Sequence, residues 1–368
     1  MVHIGIDARL NYYRHGGIPT YTTAMIQEFA KLRTHHRMTI LKNRRMAETI
    51  STLDEYRVIT PPHHRIERTL LSLELMPLKL DILHCPDFIP PRFGAKYYVI
   101  TVHDLTFIHF PEHKDAASLR YYRDQINLAV RKADIILAVS EATKSDLIDI
   151  LHVPAGKIIV QPHGVGKQYR QMTKAELQPH RQLLDLPANF ILFVGTIEPR
   201  KNIPILLDAY ANLPKATKDH FPLVLVGQIG WKHELILEKI TQMKNDGINI
   251  HLRHNVTNAQ LPALYNLASL CVLPSQYEGF GLPMLEAMAC GTPVIASDNS
   301  SLPEVIGDAG LLVSTGDPAA LANAIEHTLN DTEWRFSASR RGLDRAKQFT
   351  WRKSAEIALQ AYDRLGDS

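Results

Sequence analysis

Two glutamates eight residues apart, Glu278 and Glu286, enclose a glycine-rich turn. Gly279 and Gly281 in this turn would let the backbone approach a ligand closely, and Pro283 suits the first turn of a helix. The amide groups at such a helix start favour an anion such as a diphosphate. Glu278 would then lie beside the phosphate, and Glu286 one turn further on could accept hydrogen bonds from ribose hydroxyls. The alternative is an ordinary helix start with tightly packed glycines.

A second motif places two adjacent cations after an apolar stretch. Gly195 is followed, five residues later, by Arg200 and Lys201. Cations at the start of a helix are electrostatically unfavourable unless an anion binds there. Arg offers a planar fork to phosphate oxygens and Lys a movable point charge, so we predict a phosphate clamp. The alternative is a solvated surface pair.

Three weaker signals follow other apolar stretches. Gly16 and Gly17 form a turn where backbone amides could approach a phosphate, although a loop hinge would also explain them. His103 could donate to a sugar hydroxyl or shuttle a proton, or it could be a structural histidine. Backbone groups around Val256 could read the edge of a nucleobase, which is the least specific of these predictions.

Short apolar runs without clean alternation predict strands that are buried on both faces. Thirteen such runs occur, at residues 3–7, 38–41, 56–59, 80–84, 97–102, 135–139, 157–161, 190–194, 223–226, 248–252, 270–273, 293–296 and 310–313. Helical patterns between them indicate right-handed βαβ units. We therefore predict an α/β protein with two doubly wound domains, whose ligands lie at the carboxyl ends of the strands.

The domain boundary is predicted from a polar stretch that contains two prolines. This stretch, 171–188, is interpreted as a linker between a first domain at 1–170 and a second at 189–349. The last segment, 350–368, is predicted to be a helix that could pack on either domain.

Composition excludes several classes of protein. The chain has 368 residues and a net charge of +3, which gives no support for nucleic-acid binding. The charge is uneven, with 23 Lys and Arg against 17 Asp and Glu in residues 1–170, and 18 against 21 in the remainder. Three scattered cysteines fit a reducing cytoplasm, and no apolar run is long enough to span a bilayer.

Motifs of several enzyme classes are missing. The chain has no phosphate-binding G-x-x-x-x-G-K-[ST], no dinucleotide-binding G-x-G-x-x-G and no G-x-S-x-G. It also has no D-x-D pair to clamp a metal diphosphate, and its histidine pairs lack the spacing of metal ligands. We therefore predict no dedicated metal site.

In their order and spacing, these motifs resemble the retaining GT-B glycosyltransferases of family 4, also called glycosyl transferases group 1. The resemblance rests on Glu278 and Glu286, the Arg200–Lys201 loop and the Gly16–Gly17 turn. It is most specific over 190–315. The sequences around Gly195 and His103 also resemble bacterial mannosyltransferases that build surface polysaccharides.

This resemblance implies two Rossmann-like domains facing across a cleft. The first would bind the acceptor, the second would hold most of the nucleotide sugar, and the 350–368 helix would return to the first. It implies a diphosphate on Arg200 and Lys201, a ribose on Glu286, and a base beside Val256. Further donor contacts are implied at Gly16, Gly17, Gly195, Glu278, Gly279, Phe280, Gly281 and Leu282. His103 would lie near the reacting end of the sugar, so the implied catalytic set is His103, Arg200, Lys201 and Glu278.

The implied reaction is retaining, metal-independent transfer of a hexose, with mannose from GDP-mannose as first choice, to a glycan or lipid-linked acceptor. It uses no cofactor beyond the nucleotide sugar. The alternatives are a UDP-sugar-dependent transferase of the same fold and an inactive nucleotide-sugar-binding protein. We expect a cytoplasmic enzyme whose basic first half, with Arg120, Arg123, Arg131 and Lys132 beside Tyr121 and Tyr122, contacts an anionic membrane or is simply solvated.

Overall fold

The structure, a computed structural model, describes residues 1–13, 16–32, 34–64, 66–113 and 115–367. The chain divides into two compact units. One comprises Met1–Gly164 and the segment from Thr350 onward, and the other is Val165–Phe349. In the described residues, no helix has an apolar stretch of the length needed to cross a membrane.

The first unit is built on a seven-stranded parallel sheet with the order β3-β2-β1-β4-β5-β6-β7. Its strands are β1 His3–Asp7, β2 Arg37–Asn43, β3 Asp54–Val58, β4 Leu80–Cys85, β5 Ala95–Val102, β6 Ile135–Ala138 and β7 Ile158–Val160. Its helices are α1 Gly17–Leu32, α2 Glu67–Leu75, α3 Thr106–His109, α4 Ala116–Lys132, α5 Glu141–Asp149 and α15 Trp351–Gly366.

The second unit has a six-stranded parallel sheet with the order β10-β9-β8-β11-β12-β13. Its strands are β8 Ile191–Val194, β9 Leu223–Val226, β10 Ile250–Arg253, β11 Leu270–Leu273, β12 Val294–Ser297 and β13 Leu311–Val313. Its helices are α6 Lys174–Leu184, α7 Ile203–Asn212, α8 Lys215–His220, α9 Glu234–Asn245, α10 Leu261–Leu267, α11 Leu282–Ala289, α12 Leu302–Ile306, α13 Pro318–Asn330 and α14 Thr332–Ala346.

Successive strand residues of the first sheet enter two different cores. Ile82 belongs to one apolar cluster and Leu83 to the other, and the same alternation holds for Val99 and Ile100. Because neighbouring side chains of a strand point to opposite faces, the sheet is covered on both sides. This burial explains why each strand is a continuous apolar run, and the predicted doubly wound α/β class is confirmed.

In both sheets the order in which strands are added reverses at the first strand. β2 pairs with one edge of β1 and β4 with the other, and β9 and β11 pair in the same way with the two edges of β8. The loops after β1 and β4, and those after β8 and β11, therefore lead away in opposite directions. Ligands of open α/β sheets bind at the carboxyl ends of strands beside such a switch point. The loops beside these switch points carry Asp7 and Asp87 in the first unit and Arg200 and Glu278 in the second.

The stretch interpreted as a linker, 171–188, contains α6 and belongs to the second unit. Thr173 and Glu176 form a reciprocal capping box, and the Asn266 side chain on α10 accepts a hydrogen bond from the Met172 N–H at 2.9 Å. This capping offsets the loss of the helical hydrogen bond that Pro179, inside α6, cannot donate. Along the chain, the first unit ends at Gly164 and the second begins at Val165.

The last helix, α15, packs on α1 in the first unit and places Trp351 and Tyr362 in its core. Tyr362 Oη hydrogen-bonds His84 Nδ1 at 2.6 Å, and Gln161 Nε2 donates to the Ser354 carbonyl at 2.8 Å. The first unit is thus completed by residues from the end of the chain.

Candidate functional site

Three loops meet at the carboxyl edge of the second sheet. The Gly195 N–H donates to the Val226 carbonyl at 2.9 Å, and the Gly227 N–H donates to the Arg253 carbonyl at 3.1 Å. A Cβ atom on Gly227 would lie 1.9 Å from the Gly195 carbonyl oxygen, so only glycine allows this backbone contact. The segments after β8, β9 and β10 therefore form one continuous floor. The sequence predicts a donor contact at Gly195 but no role for Gly227.

Arg200 and Lys201 lie in a short 3₁₀ turn, Pro199–Lys201, immediately before α7. Asn202 joins the turn to the helix in the left-handed conformation, with φ at 56°. This change of direction turns the two cations away from the helix interior and towards the loop that follows β11, where the Gln276 N–H donates to the Arg200 carbonyl at 2.9 Å.

Glu278 forms ion pairs with both cations. Lys201 Nζ lies 2.6 Å from Glu278 Oε1, and Arg200 Nη1 lies 3.2 Å from Glu278 Oε2. Ser275 Oγ also donates to Oε1 at 2.6 Å. The other nitrogen of the Arg200 fork pairs with Glu198 at 2.7 Å. Arg200, Lys201 and Glu278 therefore form one ion-pair network. Glu278 is 78 residues from Arg200 and 77 residues from Lys201 in sequence.

The electrostatics of this network differ from the expectation in one respect. The Arg–Lys pair was expected to lack compensation without a bound anion, but Glu278 and Glu198 supply two negative charges. Burial alone would raise the pKa of Glu278, but Lys201 and Arg200 outweigh it and lower the pKa to about 2. The acid therefore stays ionised at neutral pH, and the two cations are held in place before any ligand arrives.

The glycine-rich turn leads directly into α11. Gly281 precedes the helix with φ at 100°, and a Cβ there would lie 2.8 Å from the Leu302 side chain. Phe280 is buried against Phe349, with ring centroids 5.8 Å apart. Tight packing thus fixes the turn, as the alternative interpretation of the glycines expected, and it also fixes where the first amides of α11 point.

Glu286 lies in the second turn of α11 and accepts a hydrogen bond from Tyr265 Oη at 2.9 Å. Burial raises its pKa to about 7, although hydrogen bonds from Tyr265 and Tyr169 partly oppose the shift. A carboxyl group held near its titration point in a ligand-binding fold is a candidate functional group. Neither tyrosine was predicted, because both are distant from Glu286 in sequence.

The loop after β10 carries Val256, which is half-buried. The preceding His254 donates through Nδ1 to the Gly227 carbonyl at 3.1 Å, and its own carbonyl accepts from Gln228 at 2.6 Å. These bonds place the Val256 loop beside the floor formed by Gly195 and Gly227.

The remaining predicted residues belong to the first unit. Gly16 has φ at 138°, Gly17 is the first residue of α1, and a Cβ on either would meet no atom within 4 Å. Both are exposed at the helix start, as a phosphate-contacting turn requires.

His103 follows β5 and is enclosed by other rings. Its Nε2 donates to the Pro86 carbonyl at 2.8 Å, and its Nδ1 lies 3.4 Å from His163 Nε2. The Tyr21 ring stacks edge-on at 5.0 Å. Burial lowers the pKa of His103, so the ring is neutral at pH 7. These contacts fit the structural alternative for His103, and its role beside a sugar stays a prediction.

One group of potential metal ligands occurs among the described residues: His35, His36 and Asp363. Its donor atoms lie within 4.8 Å of one another; His35 is exposed, His36 buried and Asp363 half-buried. The spacing of His35 and His36 in the sequence argues against a metal site. Asp363 could not be predicted as their neighbour, because α15 brings it to them from the end of the chain.

Comparison with protein families follows the division of the structure. The model "Glycosyltransferase Family 4" matches residues 15–168, and the model "Glycosyl transferases group 1" matches residues 175–345.

Curated relatives carry related names. The chain is 38% identical over 285 residues to the O-antigen chain mannosyltransferase B of Escherichia coli, a match that covers 77% of this chain and 74% of that protein. It is 32% identical over 240 residues to the serotype-specific mannosyltransferase WbdA of Escherichia coli, covering 64% of this chain and 29% of that longer protein.

Solved structures share the fold. The sucrose-phosphate synthase of Thermosynechococcus elongatus aligns over 100% of both chains with a TM-score of 0.76 and 23% identity. WaaG, a glycosyltransferase involved in lipopolysaccharide biosynthesis, aligns over 96% of this chain and 98% of its own with a TM-score of 0.77 and 16% identity. With both family models, a relative at 38% identity and this shared architecture, the chain belongs to the family 4 glycosyltransferases that carry a group 1 domain.

Proposed function

We propose that this glycosyltransferase moves mannose from GDP-mannose to a hydroxyl of a glycan or lipid-linked acceptor in surface polysaccharide biosynthesis, with retention of anomeric configuration. The names of the two Escherichia coli relatives support the sugar and the pathway. The observation that carries the chemistry is the buried network of Arg200, Lys201 and Glu278, because it preorganises two cations beside a glycine-rich helix start.

In this proposal the diphosphate of the donor binds Arg200 and Lys201, together with amides at the start of α11. Glu278 and the backbone of Gly279, Phe280, Gly281 and Leu282 hold hydroxyls of the sugar, and Glu286 holds the ribose. Val256 lies beside the base and Gly195 beneath the phosphates, whereas Gly16, Gly17 and His103 contribute from the first unit.

The main catalytic task is to stabilise the negative charge that grows on the departing diphosphate. Fixed cations and amide donors do this without reorganising during the reaction. The acceptor oxygen bonds to the anomeric carbon on the face from which the phosphate oxygen leaves, and that oxygen takes the acceptor proton. Both oxygens of Glu278 are already hydrogen-bonded to cations or to Ser275. These bonds favour this front-face substitution over a covalent intermediate on Glu278.

The proposal is tested with labelled GDP-, UDP- and ADP-sugars, by following slow donor hydrolysis without acceptor and transfer with glycan acceptors. We expect GDP-mannose to be used fastest. Faster use of a UDP-sugar would show that GDP-mannose is not the donor, although the protein would still be a glycosyltransferase. Binding of donors without any turnover would favour the inactive sugar-binding alternative.

We expect the reaction to proceed without a divalent metal, because Arg200 and Lys201 supply the positive charge that a metal would otherwise bring. Incubation with EDTA should leave the rate of nucleoside diphosphate release within about twofold of the untreated enzyme. Complete loss of activity that Mn²⁺ or Mg²⁺ restores would contradict this prediction.

We also propose that the first unit contacts the cytoplasmic face of an anionic membrane. Arg120, Arg123 and Arg131 are exposed on α4, as expected. Tyr121 and Tyr122, in contrast, pack against the core, where the Tyr122 ring lies beside Phe88 and Phe107 and the Tyr121 ring contacts Tyr122.

The apolar part of the proposed membrane surface lies instead on α2 and just beyond it. Leu70, Leu73 and Met76 are 39–58% exposed and lie on one helical face. Three basic residues occur close to α2: the Arg92 N–H donates to the Arg68 carbonyl at 2.9 Å, and Lys132 Nζ donates to the Arg92 carbonyl at 2.7 Å. Apolar side chains beside cations suit the interface of an anionic bilayer.

Sedimentation with vesicles tests this surface. The protein should pellet with vesicles that contain an anionic lipid, and the double substitution L70S/L73S should weaken binding about tenfold. Leu235 on α9 is 77% exposed, so L235S is the matched control and should bind as the wild type does. Failure of the wild type to bind either neutral or anionic vesicles would overturn the membrane proposal.

A further inference from the structure

A tyrosine on the neighbouring helix is hydrogen-bonded to Glu286. Tyr265 lies on α10, and its hydroxyl donates to Glu286 Oε2 at 2.9 Å. Tyr265 is fully buried, whereas Glu286 keeps part of its surface exposed. A ligand can therefore contact Glu286 but not Tyr265, so any effect of Tyr265 on a ligand must act through the carboxyl group.

Several contacts fix the position of Tyr265. Thr292 Oγ1 donates to the Tyr265 carbonyl at 2.5 Å, and Cys290 Sγ donates to the Pro262 carbonyl at 3.7 Å. Because Cys290 and Thr292 directly follow α11, these bonds tie α10 to the end of the helix that carries Glu286. The ring of Tyr169 packs edge-on against that of Tyr265, with centroids 6.0 Å apart. The phenol hydroxyl is thus held at a fixed place beside the carboxyl group.

A fixed hydroxyl matters because a glutamate side chain is flexible. Holding it in one geometry costs conformational entropy, and a contact that is present before the ligand arrives reduces the cost at binding. An ionised carboxylate has about four acceptor positions on its two oxygens. The bond from Tyr265 uses one of them, which leaves enough for the two hydroxyls of a ribose.

The titratable groups that face Glu286 are two phenols and two thiols, those of Tyr169, Tyr265, Cys271 and Cys290. Burial raises the pKa of all four, so each is neutral at pH 7. Burial also raises the pKa of Glu286 to about 7, and the hydrogen bonds from the phenols oppose this shift. Tyr265 therefore favours the ionised carboxylate, the form that accepts bonds from hydroxyls.

We propose that Tyr265 is a positioning residue for Glu286: its hydroxyl orients the carboxylate for both ribose hydroxyls and thereby sets the preference for a ribonucleotide over a deoxyribonucleotide. The inference rests on the proposed function, because it concerns the ribose contact of that same donor site. Tyr169 contributes by packing on the Tyr265 ring.

Nucleotide binding to the full-length protein tests this role. The probes are GDP with 2′-deoxy-GDP and, in parallel, UDP with 2′-deoxy-UDP, and calorimetry measures the dissociation constants. The wild type should bind the ribonucleotide at least tenfold more tightly than its deoxy analogue, the effect of one hydrogen bond to a charged group. Tyr265→Phe keeps the ring but removes the hydroxyl, and should reduce this ratio to about threefold or less.

Tyr210→Phe is the matched control. Tyr210 is also fully buried in the second unit, but its hydroxyl bonds backbone carbonyls, including that of Phe221 at 3.2 Å, and no carboxylate. This variant should keep the wild-type ratio. Full discrimination by a folded Tyr265→Phe variant, or an equal loss in Tyr210→Phe, would overturn the positioning role.

The pH dependence of the donor KM is a second measurement, which a role in stability alone would not change. Removing a bond to the ionised form raises the pKa of Glu286 further. The rise of the donor KM with falling pH should therefore begin about one pH unit higher in Tyr265→Phe, while kcat at saturating donor stays within about twofold of the wild type. An unchanged KM profile would contradict the inference.

The inference and the proposed function fail in different ways. Binding of the UDP pair but not of the GDP pair would correct the donor, and the UDP pair would then test Tyr265. Transfer from GDP-mannose by a wild type that binds both nucleotides of a pair equally would overturn the ribose contact alone. Loss of discrimination in Tyr265→Phe, in a protein that hydrolyses and transfers no donor, would support Tyr265 and contradict the proposed transfer.

Discussion

Replacing Lys201 with alanine will lower the rate of glycosyl transfer by about 100-fold or more, the effect of removing a fixed donor from a developing anion. Lys201 is buried, and its Nζ lies 2.6 Å from Glu278 Oε1, so its charge is held in one place. The substitution removes a cation from the departing diphosphate and leaves Glu278 paired with Arg200 alone. Arg200→Ala should have an effect of similar size.

Steady-state kinetics with saturating donor measures this loss, and a thermal melt shows whether the variant is folded. Lys239→Ala is the matched control, because Lys239 forms an ion pair of the same 2.6 Å length with Asp208 in the same unit, away from the glycine-rich turn. It should retain the wild-type rate. Near-normal turnover in both Lys201→Ala and Arg200→Ala would refute the phosphate clamp.

A second large effect is expected from Glu286→Gln, and it depends on pH. With a pKa of about 7, Glu286 is mostly ionised at pH 8 and mostly protonated at pH 6. Only the ionised carboxylate accepts hydrogen bonds from both hydroxyls of a ribose. The donor KM of the wild type should therefore rise as the pH falls from 8 to 6. The donor KM of the variant should be at least tenfold higher than that of the wild type at pH 8 and should change little with pH.

The same substitution should stabilise the folded protein at high pH. The pKa of Glu286 in the folded state lies above that of an unfolded glutamate, near 4.3, so the folded state binds the extra proton between these values. The wild type therefore loses stability as the pH rises from about 4.5 to 7, by up to about 3 kcal/mol for a shift of this size. Glutamine does not titrate, so the variant should be more stable at pH 8 and similar at pH 4.5.

Chemical denaturation at the two pH values measures this difference. Glu326→Gln, on a helix in the same unit, controls for the loss of one negative charge and should change neither the pH dependence nor the donor KM. Parallel pH profiles for the wild type and Glu286→Gln would show that Glu286 is not the titrating group.

Strand positions were predictable because burial on both faces leaves a local signal. Stretches such as Ile191–Val194 and Leu270–Leu273 are continuous apolar runs, and the chain order of such runs fixes the Rossmann-like class. The glycine-rich turn was equally visible, because the left-handed conformation of Gly281 is a local requirement. In contrast, the polar composition and prolines of 171–188 concealed α6, whose stability depends on the Thr173 capping box and on packing against α10.

The partners of the site residues could not be predicted, because they are distant in sequence. Nothing local to Lys201 indicates that Glu278 would neutralise it, and nothing near Glu286 indicates that two tyrosines would donate to it. The same holds for Arg9, whose charge is cancelled by Glu67 from 58 residues away. A single sequence indicates which groups can do chemistry, whereas their charge state depends on tertiary contacts.

The return of α15 to the first unit has a consequence for biosynthesis. A ribosome makes residues 1–164 first, but Trp351 and Tyr362, which fill their core, follow only after the whole second unit. His84 and Gln161 therefore lack their α15 partners throughout elongation. The second unit is continuous in sequence and can fold as it emerges, whereas the core of the first unit is completed only after α15 has been made.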